Sequence, residues 1–228
     1  MEAVHKKIGK KILEKTWRPF LLRYLSKERT YNYKNLRLVI FPGVFHPGLF
    51  FSTTILLEFL ETISVNGKKV LELGAGSGLI SMTTARRGAE VFALDISNKA
   101  VANIKENAIR NNIKLHVLQS DLFNDLIKEK YDLIIVNPPY YPHNPSTEGE
   151  YAWYCGKNFE YFITFFSQLR NYIHSDSEVY MILSEDCDIT TISKIAEAQN
   201  IQMLEVYQKK KLWELNYIFR ISPLLHCK

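Results

Sequence analysis

From Lys68 to Pro223 short hydrophobic runs alternate with stretches of helical periodicity, and this alternation confines the chain to few architectures. The runs "KKVLELG", "AEVFALD", "KLHVLQS" and "YDLIIVN" read as strands. Helices are expected between them over 78–87, 98–110 and about 122–129, with Ser97 as an N-cap and Gly88 closing the first. Strands so uniformly apolar are buried on both faces, which requires a parallel sheet covered by helices on both sides. After a loop over 140–157 come an aromatic helix, "NFEYFITFFSQLRNYI", a strand, "EVYMILS", and a helix, "ITTISKIAEAQN". The last two strands, "QMLEVYQKK" and "LWELNYIFRIS", are too close for a crossover helix and predict an antiparallel hairpin.

With 228 residues, 46% hydrophobic and 23% charged, the chain can bury a good core and is not a disordered polymer. Its net charge of +5 owes much to Lys6, Lys7, Lys10, Lys11, Lys15, Arg18, Arg23 and Lys27. Ile8, Ile12, Leu13, Trp17, Leu21, Leu22 and Leu25 recur at helical spacing in the same region. Residues 1–36 are therefore expected to form a basic helical extension ahead of a domain at 37–228. Such a helix suits either a solvated face or contact with phosphates. Cys155, Cys187 and Cys227 show no CxxC spacing, so neither a zinc site nor a disulfide framework is expected and a reducing cytoplasm fits. The most apolar stretch, Leu38 to Leu60, is interrupted by Pro42, Gly43, Pro47 and Gly48, and no membrane span is expected.

The segment "VLELGAGSG" places Gly74, Gly76 and Gly78 where the first parallel strand turns into its helix, allowing a tight turn and close approach to a ligand. Asp95 ends the next strand, where a carboxylate can accept hydrogen bonds from both ribose hydroxyls, so any adenosine cofactor fits, NAD included. Glu72 separates the cofactors. Two residues before the first glycine, a carboxylate would be repelled by a pyrophosphate but would attract a cationic amino-acid moiety. Each acid taken singly reads as a solvated strand end or a helix cap. Glu72, Asp95 and Asp121 at three successive strand ends beside one glycine turn favour a cofactor site.

The fourth strand ends in "NPPYYP", and two consecutive prolines remove two donors and stop the strand. A rigid turn without chemistry would look the same in isolation, but this one lies beside the glycine turn. His46 and His143 read as exposed loop histidines. Phe45, His46, Pro47, Ser52 and Thr53 suit either a cover over the cofactor or an apolar layer on the sheet.

In these residues the chain resembles class I S-adenosylmethionine-dependent methyltransferases of the HemK/PrmC-like, small-domain group, over about residues 37–220. Asn137, Pro138, Pro139 and Tyr140 occupy all four positions of the [DN]PP[YF] signature of enzymes that methylate a nitrogen on a planar group. The resemblance implies a Rossmann-like α/β fold, with a mostly parallel seven-stranded sheet ending in an antiparallel hairpin. It implies S-adenosyl-L-methionine contacts at Glu72, Gly74, Ala75, Gly76, Gly78, Asp95, Ile96, Asp121, Leu122 and Asn137. In such relatives Glu72 would lie near the methionine end, Asp95 at the ribose, and Asp121 at the adenine amino group with Leu122 beside the ring. The catalytic group would be Asn137, Pro138, Pro139 and Tyr140, with the Asn137 oxygen and the Pro138 carbonyl accepting the hydrogens of the target nitrogen and Tyr140 stacking on it. Relatives with this signature methylate glutamine in release factors or the N6 amine of adenine in RNA or DNA, and the motif alone does not choose between them.

The short extension and the missing "PRPETE"-like stretch depart from bacterial release-factor methyltransferases, and the basic helix points to nucleic-acid contact. Aromatic residues at Tyr151, Trp153, Tyr154 and Phe159 suit a base or a peptide. Two other classes remain open: a non-catalytic interaction module with the same fold, and a NAD-dependent oxidoreductase, which Glu72 disfavours.

Overall fold

The structure, a computed structural model, describes residues 23–224. Its elements in chain order are β1 (Arg29–Tyr33), β2 (Leu36–Ile40), α1 (Phe51–Leu60), β3 (Lys69–Leu73), α2 (Leu79–Ala85), β4 (Glu90–Asp95), α3 (Asn98–Arg110), β5 (His116–Gln119) and β6 (Tyr131–Val136). They continue with α4 (Glu160–Leu169), β7 (Ile173–Ser184), α5 (Ile189–Ala198), β8 (Ile201–Lys211) and β9 (Glu214–Pro223). Seven strands form one sheet in the order β5-β4-β3-β6-β7-β9-β8. Pairing is parallel from β5 through to β7, and β9 runs antiparallel to both β7 and β8. The fold is thus the expected α/β class with its terminal hairpin.

The strand order reverses between β3 and β6, so the crevice at their carboxyl ends is where a doubly wound sheet binds ligands. Glycines end β3 and prolines follow β6. One core lies under α4 and α5, where Phe162, Phe165, Phe166 and Leu169 meet Leu71, Ile134 and Met181. The other lies under α1 and α2, where Ile55, Leu56 and Met82 meet Val70, Leu133 and Ile182. Ser97 caps α3 as expected, accepting a hydrogen bond from Ala100 N at 3.2 Å. Among the described residues no helix is long and apolar enough to cross a membrane.

Three sequence expectations change. Residues 1–22 of the helical extension, and Cys227, lie outside the described residues, but Arg29–Tyr33 is a strand rather than helix. It pairs with β2 along its whole length, so the domain as described takes in residues from Arg29 onward, ahead of the expected start at 37. The helix expected over about 122–129 is a series of turns in which Leu122 has φ +52°. There the Ser120 hydroxyl donates to Leu122 O at 2.8 Å and accepts from Asp125 N at 3.1 Å, taking up backbone groups that a helix would pair internally. His46 is buried, not exposed.

The β1–β2 hairpin joins the main fold through an asparagine ladder. Arg37 N donates to Asn111 Oδ1 at 3.0 Å, Val39 N to Asn107 Oδ1 at 2.8 Å and Phe41 N to Asn103 Oδ1 at 3.1 Å. The amides answer: Asn111 Nδ2 donates to Arg37 O, while Asn107 and Asn103 both donate to Val39 O. The match is geometric. Two strand residues advance about 6.6 Å, and four helix residues advance about 6.0 Å. Side chains at every fourth position of α3 therefore keep step with alternate residues of β2, and the open edge of β2 is paired without another strand.

His46 sits against the rings of Tyr31, at 5.5 Å, and Tyr24, at 6.0 Å, and its Nδ1 accepts from Gly48 N at 3.1 Å. Nε2 is buried without a hydrogen-bond partner. Burial, helped by Arg29, lowers the His46 pKa below its ordinary value. Because the folded state favours the neutral ring, its contribution is full above the unfolded pKa of about 6.5 and is lost as pH falls through the folded value. Thermal melts from about pH 7 to about pH 5 should show a smaller acid-induced loss in His46→Asn than in the wild type. An equal loss in both would remove His46 from the account.

Candidate active site

Beyond β3 the chain turns through Gly74, Gly76 and Gly78, whose φ values of +70°, +55° and +80° are left-handed. A side-chain carbon on Gly78 would stand 3.1 Å from Ile104 Cγ2, so Gly78 lets α2 pack close to α3. The turn is tied to β4. Gly76 N donates to Asp95 Oδ2 and Ser97 N to Asp95 Oδ1, each at 2.9 Å, and Ala75 N donates to Leu94 O at 2.8 Å. Burial pushes the Asp95 carboxyl up from its ordinary value, while these backbone N–H groups pull it back.

A cavity of about 500 Å³ opens at the crevice. Gly74, Gly76, Asp95, Ile96, Asp121 and Leu122 line it on the side of β3, β4 and β5, and Asn137, Pro138, Pro139 and Tyr140 line it beyond β6. Ten of the thirteen residues singled out from the sequence thus meet in one space. Glu72 and Ala75 instead border a smaller recess, of about 30 Å³, which shares Gly74, Gly76 and Asn137 with the main cavity. Gly78 borders neither.

Glu72 is 3% exposed and receives a hydrogen bond from the Ser81 hydroxyl. Burial pushes its carboxyl up to about 8; Ser81 opposes the rise and Asp95 adds to it. Asn137 donates from Nδ2 to Ser52 Oγ at 3.3 Å. Burial raises the pKa of the Tyr140 hydroxyl and keeps it protonated, with Ser184 opposing the rise.

Loop residues roof the cavity. The segment leaves β6, makes a one-turn 3-10 helix at Glu148–Ala152 and returns, its neck closed by Tyr141 N to Trp153 O and Cys155 N to Tyr141 O, both 3.0 Å. Glu148 Oε1 accepts from Ser97 Oγ at 2.7 Å, pinning the roof to the start of α3. Trp153 meets Phe50 at 4.7 Å and Phe45 at 5.4 Å between ring centroids, joining the roof to the segment before α1. Phe45 and Ser52 line the cavity, Phe45, Pro47 and Thr53 border the smaller recess beside Glu72, and His46 borders neither. His143 is exposed, as expected.

Sequence reasoning missed the bond of Glu148 to Ser97 and, though it named Ser52 as a candidate cover, the bond of Ser52 to Asn137. Glu148 lies 51 positions from Ser97, and no local pattern announces the pair. The asparagine ladder did leave a signal, three asparagines four residues apart, but on a helix that spacing reads as a solvated face.

Residues 35–154 match the model of the methyltransferase small domain. The chain is 34% identical over 157 residues to MJ0928 of Methanocaldococcus jannaschii, provisionally named a protein N5-glutamine methyltransferase, covering 66% of this chain and 77% of that one. It is also 34% identical over 89 residues to a release factor glutamine methyltransferase of Flavobacterium psychrophilum, covering 38% of this chain but only 31% of that enzyme. Among solved structures, the Thermus thermophilus 16S rRNA N2 G1207 methyltransferase in complex with AdoMet and guanosine superimposes with a TM-score of 0.60 at 20% identity, over 85% of this chain and 50% of that one. That likeness is one of fold.

Proposed function

The chain belongs to the methyltransferase small domain family and is an S-adenosylmethionine-dependent methyltransferase, and from that premise we propose that it methylates a planar amide nitrogen, the side chain of a glutamine in a protein. The residues present fit the cofactor. A Cβ on Gly74 would meet no protein atom within 4 Å, and one on Gly76 only Phe45 Cβ at 3.7 Å, so the glycines leave room along the cavity wall. Asp95 would hold the ribose, Asp121 and Leu122 the adenine with Ile96 beside it, and Glu72 the ammonium end. When bound, S-adenosylmethionine supplies an electrophilic methyl group on sulfonium.

An amide nitrogen is a poor nucleophile because its lone pair is delocalised. Asn137 Oδ1 and the Pro138 carbonyl would accept its two hydrogens and favour a pyramidal nitrogen with a localised lone pair. Pro138 and Pro139 hold those acceptors rigid, and the Tyr140 ring, which packs on Tyr141 at 4.8 Å between centroids, would lie against the flat acceptor. The proton becomes acidic only as positive charge develops on nitrogen, so no dedicated base is needed beforehand.

The observation that carries the choice of acceptor is the charge of the cavity. Besides Asp95 and Asp121, which would face the cofactor, Glu148 and Glu160 line it, and no lysine or arginine does so among the described residues. Nucleic acids gain affinity by phosphate neutralisation, and a carboxylate-lined opening works against it. A neutral side-chain amide bears no such cost. The similarity to MJ0928 over most of that protein's length supports the same reading. Radiolabelled methyl transfer into a cell extract, followed by separate protease and nuclease digestion, is expected to release label with protease alone. Release by nuclease would assign the nucleobase instead.

Glu72 gives a second test. With a pKa pushed to about 8 it is largely protonated at neutral pH in the free protein. An ammonium group placed beside it favours the carboxylate, so binding should release up to about one proton per cofactor. Calorimetry with S-adenosylhomocysteine in buffers of different ionisation enthalpy measures this directly, and Glu72→Gln should abolish the release. Equal enthalpies in all buffers would contradict the assigned role.

A further inference from the structure

A side-chain amide offers an oxygen at one end and an NH2 at the other, and only the oxygen can accept a hydrogen from an acceptor nitrogen. An asparagine free to rotate about its last torsion would present the wrong end part of the time. We propose that Ser52 is the positioning residue that stops this rotation by holding the amide at one end. Its Oγ receives Asn137 Nδ2 at 3.3 Å, which leaves Oδ1 as the end without a protein partner among the described residues.

Three features suit Ser52 to the task. It is buried, at 7% exposure, on the first turn of α1, and that helix is anchored by Ile55, Leu56, Leu57 and Leu60 in the core. Ser52 and Asn137 both line the main cavity, so the bond is made at its wall. The partner residues come from elements 85 positions apart, so the contact forms only once α1 has docked against the sheet. Ser52 thus acts through Asn137 and need not touch the acceptor. Its role differs from that of a residue covering the cofactor.

The inference rests on the amide-methylation reading for its catalytic consequence, and the experiment separates the two. In Ser52→Ala the Asn137 side-chain NH2, followed by nitrogen-15 NMR with S-adenosylhomocysteine bound, should exchange with solvent about tenfold faster than in the wild type, the scale expected for one lost hydrogen bond. S-adenosylhomocysteine affinity by calorimetry should be unchanged. Methyl incorporation into the labelled extract should fall by about tenfold. Ser52→Thr, which keeps the hydroxyl, should restore both the slow exchange and the incorporation. Unchanged exchange in Ser52→Ala would show that Ser52 does not hold the amide and would overturn the proposal. Faster exchange with undiminished incorporation would overturn it too, because the freed amide would still work. If the wild type labels no nitrogen at all, the amide-methylation reading fails, while the exchange measurement still decides whether Ser52 orients Asn137.

Discussion

Asn137→Ala should reduce methyl transfer by about 10²- to 10³-fold, the scale seen when one fixed polar group is removed from around a reacting atom. The substitution deletes the acceptor that would draw hydrogen away from the target nitrogen, and no neighbour replaces it. Asn137 also borders the recess holding Glu72, so a modest loss of S-adenosylhomocysteine affinity is expected alongside. The diagnostic is the ratio: turnover should fall far more than binding, as for an interaction made mainly in the transition state. Full incorporation of label by this variant would remove Asn137 from the chemistry.

Asp95→Ala should act on the other half of the site. Two ribose hydroxyls would lose a charged acceptor, and hydrogen bonds to a charged group are worth roughly 1.5–3 kcal/mol, or about 10- to 150-fold in affinity. The structure adds a second loss. The same carboxylate receives Gly76 N and Ser97 N, so alanine leaves both backbone donors without their partner and leaves the glycine turn held to β4 by the Ala75 N bond to Leu94 O. Asp95→Asn, whose amide oxygen can still receive one of these N–H groups, should therefore be milder than alanine on thermal stability while still weakening the cofactor. Calorimetry with S-adenosylhomocysteine and thermal melts of the free protein measure the two effects separately. Wild-type affinity in Asp95→Ala would end the ribose assignment.

Much of this layout was readable along the chain because the signals are local. Runs such as "VLELG" and "VFALD" end in the glycine or acid that also marks the carboxyl edge of the sheet, so reading the strands also located the site. The short gap between the last two strands gave their antiparallel pairing for the same reason. What escaped depends on distant partners. Asn103 and Asn107 look like the wet side of a helix, yet both are fully buried, because a strand more than 60 residues earlier needs their amides. His46 looks like a loop histidine until Tyr24 and Tyr31 close over it. The stretch after Asp121 has helical composition, but the Ser120 hydroxyl captures its backbone first.

The asparagine ladder also works as a vernier, in which two rulers of slightly different pitch coincide over a few graduations. Substitutions along Arg37–Phe41 leave the graduations where they are, since the strand contributes only main-chain atoms to the reading. Adding or dropping a single residue there would shift the scale by half a division, turn Leu38 and Ile40 outward and misalign every amide at once. This junction should therefore accept changes of letter that keep the buried volume of Leu38, Val39 and Ile40 and every backbone N–H, but none of length.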